Sequence, residues 1–210
     1  MTLDAVHERL AAALRGPLPG HTTFLSRSGY SRADLDRAQR ADTAPRESAV
    51  LALLYPAMGA PHLLLMRRPE YAGVHSGQVS FPGGRREAED IDLQATALRE
   101  FQEETGATPR ELRVLGPLSQ VYIPPSRSLV TPFVGLAEEL GPTRPDPREV
   151  QALLEVPLTE LLRPDVIRQR RQHIQVLGRE AEIPYFDLAG QVVWGATAMM
   201  LAELRELLLH

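Results

Sequence analysis

The chain has 210 residues, 23 of them basic and 27 acidic, for a net charge of −4, and 43 % are hydrophobic. That is enough apolar material for one substantial core, so full disorder is excluded, and the acidic balance argues against nonspecific capture of duplex nucleic acid. Cys and Lys are both absent, which excludes a disulfide scaffold, a thiol nucleophile, a thiolate zinc site, a Schiff-base lysine and a lysine P-loop.

Leu3, Val6, Leu10 and Leu14 recur at helical spacing, and Gly16-Pro17 stops the pattern. Residues 1–15 carry charges and lack the apolar stretch of a signal peptide. Residues 16–30 read as a loop, and 31–40 as a short polar helix with Ser31 as its N-cap. Residues 1–45 are therefore taken as an N-terminal helical arm on a main domain spanning 46–210. Residues 50–55 and 63–66 are apolar runs of strand length, and the turn at 56–61 makes them a hairpin. The most apolar window, 49–60, is broken by Pro56 and is too short to span a bilayer. The expectation is a soluble cytoplasmic protein with neither membrane nor nucleic acid as partner.

A Gly-rich stretch, 73–84, encloses a short strand at 79–81, and a helix follows over 93–105, ended by Gly106. Residues 112–115, 118–123 and 129–136 read as strands, with a turn at Pro124-Pro125-Ser126. Helical character is expected over 150–162, kinked or restarted at Pro157, with late strands at 174–177 and 191–194 and a closing amphipathic helix over 197–209. The apolar run 207–209 either caps the core or packs on a second chain, which leaves a homodimer open. Strands and helices are interspersed, so the fold class is α/β or α+β.

The chemistry concentrates between Gly83 and Gly106. Glu100, Glu103 and Glu104 stand at i, i+3 and i+4 on the predicted helix, an arc of roughly 100°. The packing stripe of Ala97, Leu98, Phe101 and Thr105 adjoins that arc, which puts the carboxylates at the edge of the core. They also occupy the C-terminal half of the helix, where its dipole disfavours negative charge. Local energetics oppose the arrangement, and a bound cation would relieve it. The bland reading is a solvated acidic face with Arg99 as neighbour. An all-oxygen set suits Mg²⁺ or Mn²⁺.

The run Phe81-Pro82-Gly83-Gly84, then Arg99-Glu100-Phe101-x-Glu103-Glu104-x-Gly106-Ala107, resembles the Nudix box. Its first half departs: Asp90 stands where Glu is expected, and eight residues rather than seven separate it from Arg99. Upstream, Leu64, Leu65, Arg68, Gly77 and 81–84 resemble the extra motif of the coenzyme A pyrophosphatase branch, with departures at Met66, Pro69 and Gly73. Stretches 122–126 and 194–198 are also similar to that branch.

The resemblance implies an α/β/α sandwich around a mixed β-sheet and metal-dependent hydrolysis of a CoA-like small molecule. It implies metal ligands at Glu100, Glu103, Glu104 and the Gly83 carbonyl, and substrate contacts at Arg68, Gly77, Ser80 and Gly84. Arg99 is read as orienting a helix carboxylate. The general base is left between a box glutamate such as Glu103 and Glu149, whose alternative reading is a charge at a helix N-terminus. His75 and Tyr122 are read as an ordinary loop residue and a packing residue. Two other readings stand beside CoA hydrolysis: another nucleoside diphosphate derivative such as NADH or ADP-ribose, and a Nudix module that binds without catalysis.

Overall fold

A computed structural model describes residues 1–26, 40, 45–70, 77–174 and 179–210. All but the last residue of the helix expected at 31–40, all but the first of the strand expected at 174–177, and both Gly73 and His75 lie outside these.

β1 (Arg46–Ala57) is the central strand of an eight-stranded sheet. It pairs antiparallel with β2 (Ala60–Arg67) and β4 (Gly83–Arg85) and parallel with β7 (Ser128–Leu136), so the sheet is mixed. Its apolar run is continuous because both faces are buried. Ala49, Leu51, Leu53 and Tyr55 enter one core, and Ala52 and Leu54 the other. The β1–β2 hairpin turns on two residues, Met58 and Gly59, both at positive φ, so the loop is shorter than the expected 56–61. β3 (Val79–Ser80) extends the sheet beyond β2, while β5 (Arg113–Pro117) and β6 (Val121–Ile123) pair with β7.

Helix α3 (Leu93–Thr105) covers one face of the sheet through Ala97 and Phe101. On the other face lie α1 (Leu3–Ala13), the single turn α2 (Thr22–Leu25) and α5 (Gly195–Leu209). The result is the α/β/α sandwich that the sequence implied. Val6 and Leu10 of α1 are fully buried in the same core as α5.

Two expectations are corrected. Residues 150–162 are not mainly helical: β8 (Ala152–Pro157) pairs antiparallel with β2, and only the turn α4 (Leu158–Leu161) follows. Leu153, Leu154, Val156 and Leu158 fit either period, and Pro157, unable to serve a helix interior, closes the strand instead. A second sheet of three antiparallel strands, β9 (Ile167–Ile174), β10 (Arg179–Leu188) and β11 (Gln191–Val193), stands where the sequence showed only fragments. Among the described residues no helix is long and apolar enough to cross a membrane.

Candidate active site

Helix α3 is fixed at both ends. Asp92 caps its N-terminus, accepting from the Ala95 amide at 2.7 Å, and Gly106 ends it at φ 64°. A Cβ on Gly106 would stand 2.4 Å from the Arg144 carbonyl oxygen, so only glycine lets the 142–150 loop close on the helix end. That loop is sewn on by the Arg144 amide donating to the Thr105 carbonyl and the Asp146 amide donating to the Glu104 carbonyl. These contacts carry Glu149 to the carboxylates of α3. No helix begins at Glu149, so the reading of its charge as an N-terminal helix device falls.

The three helix carboxylates differ in depth. Glu104 is 2 % exposed and accepts from the Gly83 amide at 2.7 Å; its nearest cation, Arg68, stands 3.5 Å away. Loss of water around Glu104 outweighs those contacts and raises its pKa to about 7, with Glu100 and Glu149 adding to the rise. Glu100 is intermediate in depth, and desolvation also raises its pKa. Glu103 is exposed. Gly84 faces the Glu100 carboxylate so closely that a Cβ there would lie 2.4 Å from it.

Arg99 ties the set together. Its guanidinium donates to Glu100 at 3.1 Å, to Glu103 at 2.9 Å and to the Arg85 carbonyl at 3.0 Å. It also grips Asp90 with two parallel bonds of 2.9 Å. Asp90 further accepts from the Glu87 amide and the Thr96 hydroxyl, both at 2.9 Å. These donors, Arg99 foremost, hold its pKa well below the usual carboxylate range. With its acceptor capacity used this way, Asp90 holds Arg99 in place, which explains how the box tolerates its shifted acidic position.

Arg68, Gly83, Gly84, Arg85, Glu87, Arg99, Glu100, Glu103, Glu104 and Glu149 line one open cleft of about 580 Å³. Of the sequence-derived site residues, Gly77 and Ser80 do not line it. Gly77 turns at φ 63° and donates its amide to the Pro69 carbonyl, while Ser80 pairs with Met66 in the sheet. Of the two arginines at the end of β2, Arg68 lines the cleft and Arg67 does not. Arg85 and Glu87 were not singled out from the sequence, although they stand one and three residues after Gly84. Among the described residues no three carboxylates or imidazoles already converge to hold an ion, and Arg99 bridges Glu100 and Glu103.

A strand–loop–helix that turns three glutamates and an arginine into one cleft of a mixed sandwich defines a class of hydrolase. The Nudix domain family matches residues 45–177, and the chain belongs to that family. The protein named uncharacterized Nudix hydrolase NudL in Yersinia pestis (strain Pestoides F) is 34 % identical over 146 residues, covering 70 % of this chain and 72 % of the relative. The protein of the same name in Yersinia pseudotuberculosis (serotype O:1b) shows the same figures. The solved Nudix hydrolase RenU from M. smegmatis shares the fold, with a TM-score of 0.53 and 23 % identity over 77 % of this chain and 84 % of that one.

Proposed function

We propose that this Nudix hydrolase cleaves the diphosphate bond of coenzyme A or its derivatives, giving 4′-phosphopantetheine and adenosine 3′,5′-bisphosphate. The observation that carries the chemistry is the gathering of Glu100, Glu103, Glu104 and Glu149 in one cleft with Arg68. The CoA assignment rests on the upstream motif that places Arg68 there. Of the motif's departures, Met66 is fully buried and so does not bear on ligand contact. The other substrates of the class, NADH and ADP-ribose among them, are the comparison set for the assay.

The donor set fits a hard divalent cation. Its ligand atoms are all oxygens, and the buried Glu104 lacks enough positive charge to keep an ordinary pKa. Glu100, Glu103 and Glu104 would hold Mg²⁺ or Mn²⁺, with the Gly83 carbonyl as a further ligand by resemblance. The bound ion supplies neutralisation of the diphosphate oxygens and acidifies water. Arg68 takes a non-bridging phosphate oxygen. Arg99 positions the helix carboxylates. Glu149 receives the proton of the attacking water: it makes no ion pair among the described residues, whereas Arg99 holds Glu103. Water adds to one phosphorus, the bridging P–O bond breaks, and the bridging oxygen leaves with one product.

The test is phosphorus-31 NMR of CoA incubated with the protein and Mg²⁺ or Mn²⁺, with Glu104→Gln alongside. Metal-dependent 4′-phosphopantetheine, absent with the variant, is the expected result. Unchanged CoA beside rapid turnover of NADH or ADP-ribose would overturn the substrate assignment. Unchanged levels of every diphosphate would overturn catalysis itself.

A further inference from the structure

Glu149 reaches the cleft from residues 142–150, which form neither helix nor strand, and it is exposed. A side chain on such a segment serves a reaction only if its backbone is fixed. Pro145 and Pro147 flank Asp146, and neither has an amide hydrogen. The Asp146 amide is thus the one donor of that triplet, and it goes to the Glu104 carbonyl at 3.0 Å. A turn begins at the same residue. The Asp146 carbonyl accepts from the Glu149 amide at 3.0 Å and from the Val150 amide at 2.8 Å. Asp at the first position and Pro at the second are the residues such a turn favours.

The Asp146 carboxylate closes the turn. Its Oδ1 accepts from the Arg148 amide at 2.9 Å, and both of its oxygens accept from the Arg148 guanidinium. The two backbone bonds share a single carbonyl, and Arg148 and Glu149 are open to competing water, so the side chain adds a bond of its own to an otherwise weak turn. Past Glu149 the chain is anchored again: Val150 is buried, and the Gln151 amide donates to the Arg67 carbonyl at 2.8 Å. Glu149 therefore stands between two attachments, one on the residue of the deepest helix carboxylate and one beside Arg68. Asp146 itself does not line the cleft. We propose that Asp146 is the positioning residue for Glu149, its side chain closing the turn that holds the Glu149 carboxylate beside those of α3. This deepens the diphosphatase reading and rests on its assignment of Glu149 as the proton acceptor.

The experiment compares Asp146→Ala, Asp146→Asn and Glu149→Gln in the full chain, with CoA and Mg²⁺. Asp146→Ala is expected to lower kcat at least tenfold with KM within twofold. Asp146→Asn, whose amide oxygen still accepts from the Arg148 amide, is expected to recover most of that loss. Asp146→Ala combined with Glu149→Gln should be no worse than Glu149→Gln alone, as befits a residue that acts only through Glu149. Amide hydrogen exchange, followed by NMR, reads the turn without turnover: the Glu149 and Val150 amides should exchange at least tenfold faster in Asp146→Ala and recover in Asp146→Asn. Unchanged exchange, additive losses in the double variant, or loss of kcat in Glu149→Gln with none in Asp146→Ala overturns the positioning role and leaves the base assignment intact. Wild-type kcat in Glu149→Gln overturns the base assignment and the positioning role together. Should CoA not be hydrolysed, the same comparison on the diphosphate that is turned over decides the role of Asp146, and only the CoA assignment falls.

Discussion

Two neighbouring glycines hold opposite duties in the cleft. Gly83 sits at φ 150°, and a Cβ there would come within 2.3 Å of the Ala49 carbonyl oxygen in β1. Backbone cannot yield as a side chain can, so Gly83→Ala is expected to lose about 3 kcal/mol or more of stability by parting β4 from β1. At Gly84 the obstacle is only the flexible end of Glu100. Gly84→Ala should therefore fold with less than about 1 kcal/mol lost and yet lose over a hundredfold in kcat, because Glu100 is displaced. Thermal melts and turnover on the two purified variants check both; a stable, fully active Gly84→Ala would refute the role given to Glu100. Glu104 supplies the converse case. Its pKa is raised from the ordinary 4.5 to about 7, so the folded state holds its proton more tightly than the unfolded chain. That contribution to stability is intact below about pH 4 and is lost as pH rises through about 7. In metal-free protein, Glu104→Gln should melt roughly 5 °C higher than wild type at pH 8 and close to it at pH 5, while having no activity. Equal melting temperatures at pH 8 would show that Arg68 and the Gly83 amide already compensate the charge.

At the scale of elements, legibility followed the strength of the local pattern. Helix α3 was readable end to end because Gly106 marked its stop and the stripe of Ala97, Phe101 and Thr105 repeated at helical period. The centres of β1 and β2, 50–55 and 63–66, were readable as wholly apolar runs, whereas the polar start of β1 at Arg46-Glu47-Ser48 was not. β8 was not, since its pairing with β2 is a tertiary fact and its residues suit either period. β9 hid for another reason: with Arg168, Arg170, Arg171 and His173 among its eight residues, it has no apolar alternation, and backbone pairing to β10 defines it. That Glu100, Glu103 and Glu104 share one arc at the edge of the core was legible from spacing, whereas their reading as metal ligands came only with the resemblance of the whole run to the Nudix box. Arg85 and Glu87 were not, because their place in the cleft depends on how β4 meets β1. Nor was the task of Asp90, which becomes visible only when the extra residue before Arg99 is seen to leave it two hydrogen bonds from that guanidinium. Asp90→Asn should accordingly reduce activity at least tenfold through Arg99 without touching substrate. A double variant with Arg99→Gln should be no worse than Arg99→Gln alone, and additive losses would place Asp90 in the chemistry instead.

For the whole molecule, the question is whether residues 1–45 are an appendage. Val6 and Leu10 are fully buried, Phe24 and Leu25 nearly so, and Phe24 stacks on Phe186 of the second sheet with ring centres 5.9 Å apart. A polar clasp adds to this apolar contact. Glu203, fully buried in α5, accepts from the Gly20 amide at 2.9 Å and from the amide and hydroxyl of Ser119 at 2.9 and 2.6 Å. Removing the arm takes those four side chains from the core, at about 1.5–3 kcal/mol each, or roughly 6–12 kcal/mol in all. That rivals the whole stability of a typical domain, about 5–15 kcal/mol. A chain of residues 46–210 is therefore expected to be unfolded or insoluble. Glu203→Ala, which leaves the Gly20 and Ser119 donors without their acceptor, should fold but lose about 3 kcal/mol and be cut earlier by protease within the first 26 residues, with kcat unchanged. Circular dichroism melts and timed proteolysis measure both. If the shortened chain folded and turned over substrate like the full one, the boundary near residue 45 would be a true domain edge and the arm a dispensable cover. If it fails while Glu203→Ala stays active, the arm is part of the one core that holds α3 in place from the far side of the sheet.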